Sequence, residues 1–132
     1  MIFYIDPADR VPIFQQLVNQ VRHRIAASEL RPGDKLPTVR ELALQLVINP
    51  NTVQKAYIDL SNAGLIHSRK GQGLYVSEIR PTLSSEESRR RVTQAADHFI
   101  TEGLLLGYKP GAVREVFEQQ LTTFAGEGRH DQ

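Results

Sequence analysis

Two closely spaced helical segments between residues 38 and 64 constrain the fold of this chain more than any other feature. Apolar residues recur at three- and four-residue spacing over residues 38–46, and a second segment of the same kind begins at Asn49. Asn49 is suited to cap a helix, and Pro50 then takes the first helical position, where no backbone N–H is required. Gly64 marks the end of this second helix. Because only two residues separate the segments, the sequence predicts a helix-turn-helix.

The second of these helices is predicted to bury one face and to expose a face rich in amides. Val53, Ala56 and Leu60 recur at helical spacing and form the apolar stripe. The opposite face carries Asn51, Gln54, Lys55 and Ile58. Asn and Gln can bond base edges bidentately, and the free N–H groups and positive dipole end of a helix attract phosphate. We therefore predict a helix that enters the major groove of DNA, with a merely solvated helix face as the alternative.

Two extended runs, residues 65–68 and 74–77, follow the second helix and predict a β-hairpin. Two glycines in the intervening turn permit the positive φ angles that tight hairpins need. Arg69 and Lys70 are predicted to project from the tip of this turn. A basic hairpin after a helix-turn-helix is a wing, which can follow the DNA backbone or enter the minor groove.

The motifs LPTVRELA, NPNTVQKAY, AGLI and RKGQGLYV occur here in the order found in the DNA-binding domain of the GntR family of bacterial transcription regulators. The chain closely resembles that domain over residues 3–78, and its NPNTVQKAY motif and short tail are most similar to the YtrA subfamily. One departure is Val47, which stands where most members have glycine. The resemblance implies DNA contacts by Arg40 in the second helix, by the first turn of the third helix, and by the wing tip.

The residue patterns and the resemblance together give the candidate DNA contacts. Arg40 is predicted to reach a phosphate or a guanine edge, where a planar guanidinium bonds two acceptors at once. An ion pair within its own helix is the alternative for Arg40. The candidates are Thr38, Arg40, Asn49, Asn51, Thr52, Gln54, Lys55, Arg69, Lys70 and Gly71.

The charge of the chain is nearly balanced overall but uneven along its length. The formal net charge is +1. Residues 1–80 hold ten Lys or Arg against seven Asp or Glu, and residues 81–132 hold six against eight. This asymmetry supports nucleic-acid binding only together with the motifs. The chain has no cysteine and no apolar run of about eighteen residues, so we expect a cytoplasmic protein without disulfides, thiolate metal sites or membrane segments.

The whole chain is predicted to be α+β and mostly helical. An apolar stripe from about residue 12 to residue 28 predicts a first helix that supplies the core for the helix-turn-helix. Residues 1–79 are predicted to form a winged helix-turn-helix domain of three helices and a β-hairpin. Residues 80–84 are predicted to form a linker, and residues 85–125 a two-helix dimerisation tail. We expect residues 126–132 to be frayed.

The predicted tail consists of two helices, each with an apolar stripe. Because roughly forty residues do not close a core alone, the stripes must be buried on the first domain or on a second copy of the chain. We expect the second copy, since two such hairpins can pair symmetrically, and the family resemblance implies the same arrangement. The predicted dimer interface consists of Val92, Ala96, Phe99, Ile100, Val113, Val116, Phe117 and Leu121.

No pattern in the sequence supports catalysis, a metal site or a bound cofactor. His98 and Glu102 lie four residues apart, but a surface ion pair explains this spacing. The sequence therefore predicts a transcription regulator that binds a pseudo-palindromic operator as a homodimer, and the resemblance implies repression, commonly of transporter operons. A winged-helix module that binds another protein is the alternative. Only the regulator predicts a salt-dependent affinity for duplex DNA. The sequence identifies no small-molecule effector.

Overall fold

Five helices and a β-hairpin make up the chain in a computed structural model that describes residues 3–80 and 82–129, with side chains described up to residue 124. The helices are α1 (Ile13–Ala26), α2 (Val39–Leu46), α3 (Pro50–Asn62), α4 (Ser85–Leu105) and α5 (Pro110–Arg129), and the strands are β1 (Ile66–Arg69) and β2 (Gly73–Val76). The chain divides into two compact units between residues 79 and 80. The predicted mostly helical α+β fold is confirmed. None of the described helices has the length and apolar character needed to cross a membrane.

The apolar stripes predicted for the first three helices meet in one core. Leu17 and Val21 of α1 and Val53 and Leu60 of α3 are each at most 1% exposed. α3 packs against both α1 and α2, and the inward-facing residues of the hairpin complete the core. Each such side chain stabilises the fold by roughly 1.5–3 kcal/mol through its removal from water. The first unit therefore holds the helix-turn-helix on a well-packed support.

Two glutamines that sequence reasoning did not single out hold the N-terminal segment on α1. The Oε1 of Gln16 accepts from the N–H of Asp6 at 2.9 Å, and its Nε2 donates to the Asp6 carbonyl at 2.9 Å. Gln20 makes the same pair of bonds with the backbone of Tyr4. These amides satisfy the backbone of a segment that has no neighbouring strand. They also keep Phe3 in the core, where it is 4% exposed.

Both helices of the helix-turn-helix end in the same backbone geometry, although only one of them ends with glycine. Gly64 follows α3 with φ 77°. Val47 follows α2 with φ 55° and ψ 52°. In both cases the residue that follows donates its N–H to the carbonyl of the residue five positions before it in the chain. The distance is 3.0 Å for the residue after Gly64 and 3.1 Å for the residue after Val47. Val47 therefore keeps the turn that glycine usually provides, at a cost in backbone strain.

The strands of the predicted wing are each displaced by one residue, so that β1 lies one residue later and β2 one residue earlier than expected. Arg69 pairs with Gly73, and the turn contains only Lys70, Gly71 and Gln72. The prediction that Arg69 projects from the tip is therefore wrong, because pairing in the ladder holds this residue in β1.

A third extended segment, residues 33–36, lies along β2 and was not predicted. The N–H of Leu36 donates to the Leu74 carbonyl at 2.9 Å, and the N–H of Val76 donates to the Asp34 carbonyl at 2.9 Å. Lys35 forms an antiparallel bridge with Tyr75 between these bonds. The wing is consequently attached to the segment that leads into α2.

The second unit is a hairpin of α4 and α5 in which Gly103 lies against Val113. A Cβ atom on Gly103 would lie 3.0 Å from Cγ2 of Val113, so a larger residue does not fit there without movement. Val113 is 7% exposed and is the one buried residue among the described side chains of this unit. Ser84 caps α4, since its Oγ accepts from the N–H of Glu87 at 3.1 Å.

Helix α5 extends to Arg129, beyond the predicted end of the tail at residue 125. The expected fraying of residues 126–132 stays a prediction. No proline interrupts this stretch, and each of its two glycines costs a helix only about 1 kcal/mol. Residues 130–132 lie outside the described part of the chain.

Candidate nucleic-acid interface

The start of α3 presents an exposed helix end that carries amide side chains. The Oδ1 of Asn49 accepts from the N–H of Asn51 at 2.8 Å, which is the cap predicted from the sequence. Asn51 and Gln54 are exposed, and Thr52 is half-buried. The first turn of α3 contains no acidic residue, so no carboxylate there neutralises the positive end of the helix dipole. Such a helix end attracts an anion such as a DNA phosphate.

α2 begins with a second side-chain cap. The Oγ1 of Thr38 accepts from the N–H of Glu41 at 3.1 Å. Thr38, a candidate DNA contact, therefore accepts within its own helix and keeps its hydroxyl proton as a donor. Arg40 is exposed, and the ion pairs found among the described residues do not include it. The alternative of an ion pair within α2 is thus not formed in this part of the chain.

A buried tyrosine fixes α3 against the start of α2. Tyr57 is 4% exposed, and its hydroxyl donates to the Pro37 carbonyl at 2.7 Å. Burial raises the pKa of Tyr57 well above its ordinary value, and the nearby charge of Glu41 acts in the same direction. The hydroxyl therefore remains protonated as a donor, and the two helix starts are held in a fixed relation. Sequence reasoning missed this bond.

The structure places the ammonium group of Lys55 on a neighbouring helix. Its Nζ lies 3.8 Å from the centroid of the Phe14 ring in α1. A cation over an aromatic face is stabilised by about 0.5–1 kcal/mol at exposed sites. Lys55, a candidate DNA contact, therefore links α3 to α1.

The wing tip is a three-residue turn with a cation at its centre. Gly71 has φ 74°, which glycine adopts without strain, and the N–H of Gln72 donates to the Arg69 carbonyl at 2.8 Å. Lys70 is exposed, and it takes no part in the ion pairs of the described residues. Arg69 lies behind the tip, with its Cζ 4.2 Å from the centroid of the Tyr75 ring.

The candidate contacts therefore lie at three places on the first unit, namely the starts of α2 and α3 and the wing. Arginine and lysine side chains at these places can donate to phosphate oxygens, and the amides of α3 can both donate to and accept from base edges. Among the side chains that the structure describes, in residues 3–80 and 82–124, no cluster of His, Asp or Glu is arranged to hold a metal ion. The cations and amides at the three places suit binding of a nucleic acid.

The candidate dimer residues of the tail fall into two groups. Val113 is buried and Val116 is half-buried within the chain. The remaining candidates are exposed: Val92, Ala96, Phe99, Ile100, Phe117 and Leu121. An open cleft of about 370 Å³, which was not predicted from the sequence, lies between α4 and α5 and is lined mainly by these apolar side chains.

Comparison with known proteins agrees with this geometry. The sequence model of bacterial regulatory proteins of the gntR family matches residues 13–76. The HTH-type transcriptional repressor YtrA of Bacillus subtilis is 32% identical over 96% of this chain and 98% of its own length. The crystal structure of a transcriptional antiterminator from Listeria monocytogenes superposes with a TM-score of 0.79 at 25% identity, over 94% of this chain and 92% of that chain. YtrA from Sulfolobus acidocaldarius, a GntR-family transcription factor, superposes with a TM-score of 0.58 at 35% identity, over 74% of this chain and 99% of its own.

Similar structures include a complex with DNA. The DNA-binding domain of AraR in complex with operator ORX1 superposes with a TM-score of 0.50 at 28% identity, over 57% of this chain and 93% of that chain. The relatives are transcription regulators rather than enzymes. The exposed start of α3, the wing and these similarities lead to one conclusion: the chain is a DNA-binding transcription regulator that belongs to the GntR family, in its YtrA subfamily.

Proposed function

We propose that the protein is a repressor that binds a pseudo-palindromic operator as a homodimer. On this proposal α3 of each copy enters a major groove, and each wing contacts the adjacent DNA backbone. The observation that carries the proposal is the exposed start of α3, where Asn51 and Gln54 lie on a helix end without acidic residues. An asparagine or glutamine in this position can bond adenine bidentately.

The remaining parts of the proposal follow from the relatives. We infer repression from the similarity to the Bacillus subtilis repressor YtrA. For the regulated genes we infer a transporter operon, as the family resemblance implies. Because the operator is chromosomal DNA, the proposed site of action is the cytoplasm.

The exposed apolar surface of the tail supports a homodimer. No residue of α4 is buried, and Phe117 and Leu121 of α5 are 51% and 55% exposed. Apolar surface left in water forgoes roughly 25 cal/mol per Å² of stabilisation. A second hairpin of the same sequence offers a matching stripe, so symmetric pairing of two copies removes both stripes from water.

The operator can be identified by selecting bound fragments from the source genome. We expect a site with two inverted half-sites about one helical turn apart. Inserting five base pairs between the half-sites rotates them to opposite faces of the duplex and should abolish the gain in affinity that comes from binding both half-sites at once. Inserting ten base pairs should restore part of this affinity. Equal affinity for all three duplexes would contradict binding by a dimer.

Substitutions in α3 and in the wing test the separate roles of these elements. Asn51→Ala or Gln54→Ala should relax base preference, at roughly 1–3 kcal/mol for a bidentate contact. Lys70→Ala should weaken binding to all sequences alike and lower the salt slope by about one unit. If Lys70→Ala changed the sequence preference instead, the assignment of the wing tip to the backbone would be wrong. A protein-interaction module would show no such responses.

The dimer interface is tested by placing a charge on the apolar face of α5. Phe117→Glu should shift the protein towards monomers in sedimentation velocity and weaken operator binding, because an unpaired carboxylate does not enter an apolar interface without a large desolvation cost. Gln119→Glu adds the same charge at an exposed polar position of the same helix and serves as the control. A Phe117→Glu protein that remains dimeric would place the interface elsewhere.

A further inference from the structure

The outward face of the wing carries a row of planar side chains, of which only Arg69 is among the candidate DNA contacts. In the ladder Ile66 pairs with Val76, and both are buried. Because side chains alternate between the two faces of a strand, His67 and Arg69 of β1 share the opposite face with Tyr75 of β2. These three residues therefore lie on the side of the wing that points away from the core.

The ring of Tyr75 is the centre of this row. The Cζ of Arg69 lies 4.2 Å from the ring centroid. His67, the ladder partner of Tyr75, has its ring centroid 6.4 Å away at an interplanar angle of 29°. The Tyr75 hydroxyl donates to the carbonyl of Gln72 in the turn at 3.2 Å. The imidazole of His67 is itself held by Ser77, since its Nδ1 lies 2.7 Å from Oγ of Ser77.

A missing side chain explains why Arg69 lies over Tyr75. The residue directly opposite Arg69 in the ladder is Gly73, which offers no side chain to pack against. A Cβ on Gly73 would lie 3.2 Å from Cε of Lys35, so a neighbouring side chain already occupies the space there. The diagonal neighbour, Tyr75, is then the nearest surface on which the guanidinium can stack.

We propose that Tyr75 is a positioning residue that holds the guanidinium of Arg69 ready to bind a DNA phosphate beside the one bound by Lys70. A guanidinium that stacks by its face leaves its N–H edge free, and this edge can bond two phosphate oxygens at once. Stacking before binding also limits the rotamer freedom that a long arginine side chain loses when it contacts DNA. The proposal rests on the proposed contact between wing and DNA backbone, to which it adds the residue that aligns Arg69.

A double-mutant cycle in operator affinity tests this role. Tyr75→Val removes the ring but keeps a residue that favours strands, and it should weaken binding by about twofold to fivefold, the range expected for losing a cation–π contact at an exposed site. In an Arg69→Ala background the same substitution should cause no further loss. Tyr75→Phe keeps the ring and should retain the affinity. Thermal unfolding of each variant identifies any loss that comes from a damaged fold.

Three results would overturn the proposal. The first is an equal loss from Tyr75→Val in both backgrounds, which would show a purely structural role. The second is a loss from Tyr75→Phe as large as that from Tyr75→Val, since the ring would then not be the cause. The third is an Arg69→Ala protein with unchanged affinity. If Lys70→Ala still weakens binding in that case, the wing contact stands and only the role of Tyr75 fails. If neither Arg69→Ala nor Lys70→Ala has an effect, the wing contact fails as well.

Discussion

Replacing Val47 with glycine is expected to stabilise the first unit, although the change removes an apolar side chain. Val47 is 88% exposed, so the loss of buried apolar surface is small. Its φ of 55° and ψ of 52° lie in the left-handed region, where a Cβ crowds the following carbonyl at a cost of about 1–2 kcal/mol. Glycine escapes this cost but loses more backbone freedom on folding, at about 0.5–1 kcal/mol. The difference is a gain of roughly 0.5–1 kcal/mol in the free energy of unfolding.

The assay is thermal or urea unfolding followed by circular dichroism. For a unit of this size the gain corresponds to a rise of about 2–8 °C in Tm. Val47→Ala is the matched control, because it removes most of the side chain but keeps the Cβ. It should raise the free energy of unfolding by less than Val47→Gly does.

The converse change is Gly64→Val, which places valine in the same kind of helix closure at φ 77°. Apart from its two chain neighbours, no atom of the described residues lies within 4 Å of a Cβ at Gly64. Any loss in the free energy of unfolding, expected to be about 1–2 kcal/mol, therefore reports backbone strain. If Val47→Gly is no more stable than the parent while Gly64→Val unfolds at the parental temperature, the reasoning from strain is refuted.

Three further substitutions have expected outcomes in unfolding experiments. Tyr57→Phe removes the bond to the Pro37 carbonyl and should cost about 0.5–1.5 kcal/mol. The pKa of Tyr57 in the folded protein is raised above its ordinary value of 10.0, so the unfolded chain loses the phenol proton at a lower pH than the folded protein does. The parent should therefore lose stability as the pH rises above that value. Tyr57→Phe should lack this part of the decrease in stability. Gly103→Ala should stabilise the tail by about 1 kcal/mol more in a Val113→Ala background than in the parent, since the clash of the new Cβ with the Val113 side chain is then removed. Ser84→Ala removes the cap of α4 and should lower its helicity, at a cost of about 1 kcal/mol; helicity equal to the parent would show that the cap is not needed.

Helix boundaries could be predicted from the sequence because their signals are local. Asn49 accepts the capping bond expected of it, because a cap depends only on residues within one turn. Thr38 and Ser84 accept the same kind of bond at the starts of α2 and α4. The exposed face of α3 follows equally from the spacing of its apolar residues. The family resemblance added which of these exposed residues to expect at the DNA.

Contacts between distant segments could not be predicted in the same way, because they depend on how the elements pack. No local sequence pattern indicates three contacts that the structure shows. They are the pairing of residues 33–36 with β2, the position of Lys55 over Phe14, and the stacking of Arg69 on Tyr75. Val47 marked an unusual helix end in the sequence. Only the structure shows that valine keeps the glycine geometry there.

The central claim is that the amides of α3 read DNA sequence while the cations of the first unit bind its backbone. Fluorescence anisotropy with the selected operator and with a scrambled duplex of the same length and composition, titrated over a range of salt concentrations, tests it most directly. We expect tighter binding to the operator at every salt concentration. For both duplexes the logarithm of the binding constant should fall linearly with the logarithm of the salt concentration, with a slope of about −0.9 for each phosphate contact. Equal affinity for the two duplexes, or an affinity that does not change with salt, would contradict the claim.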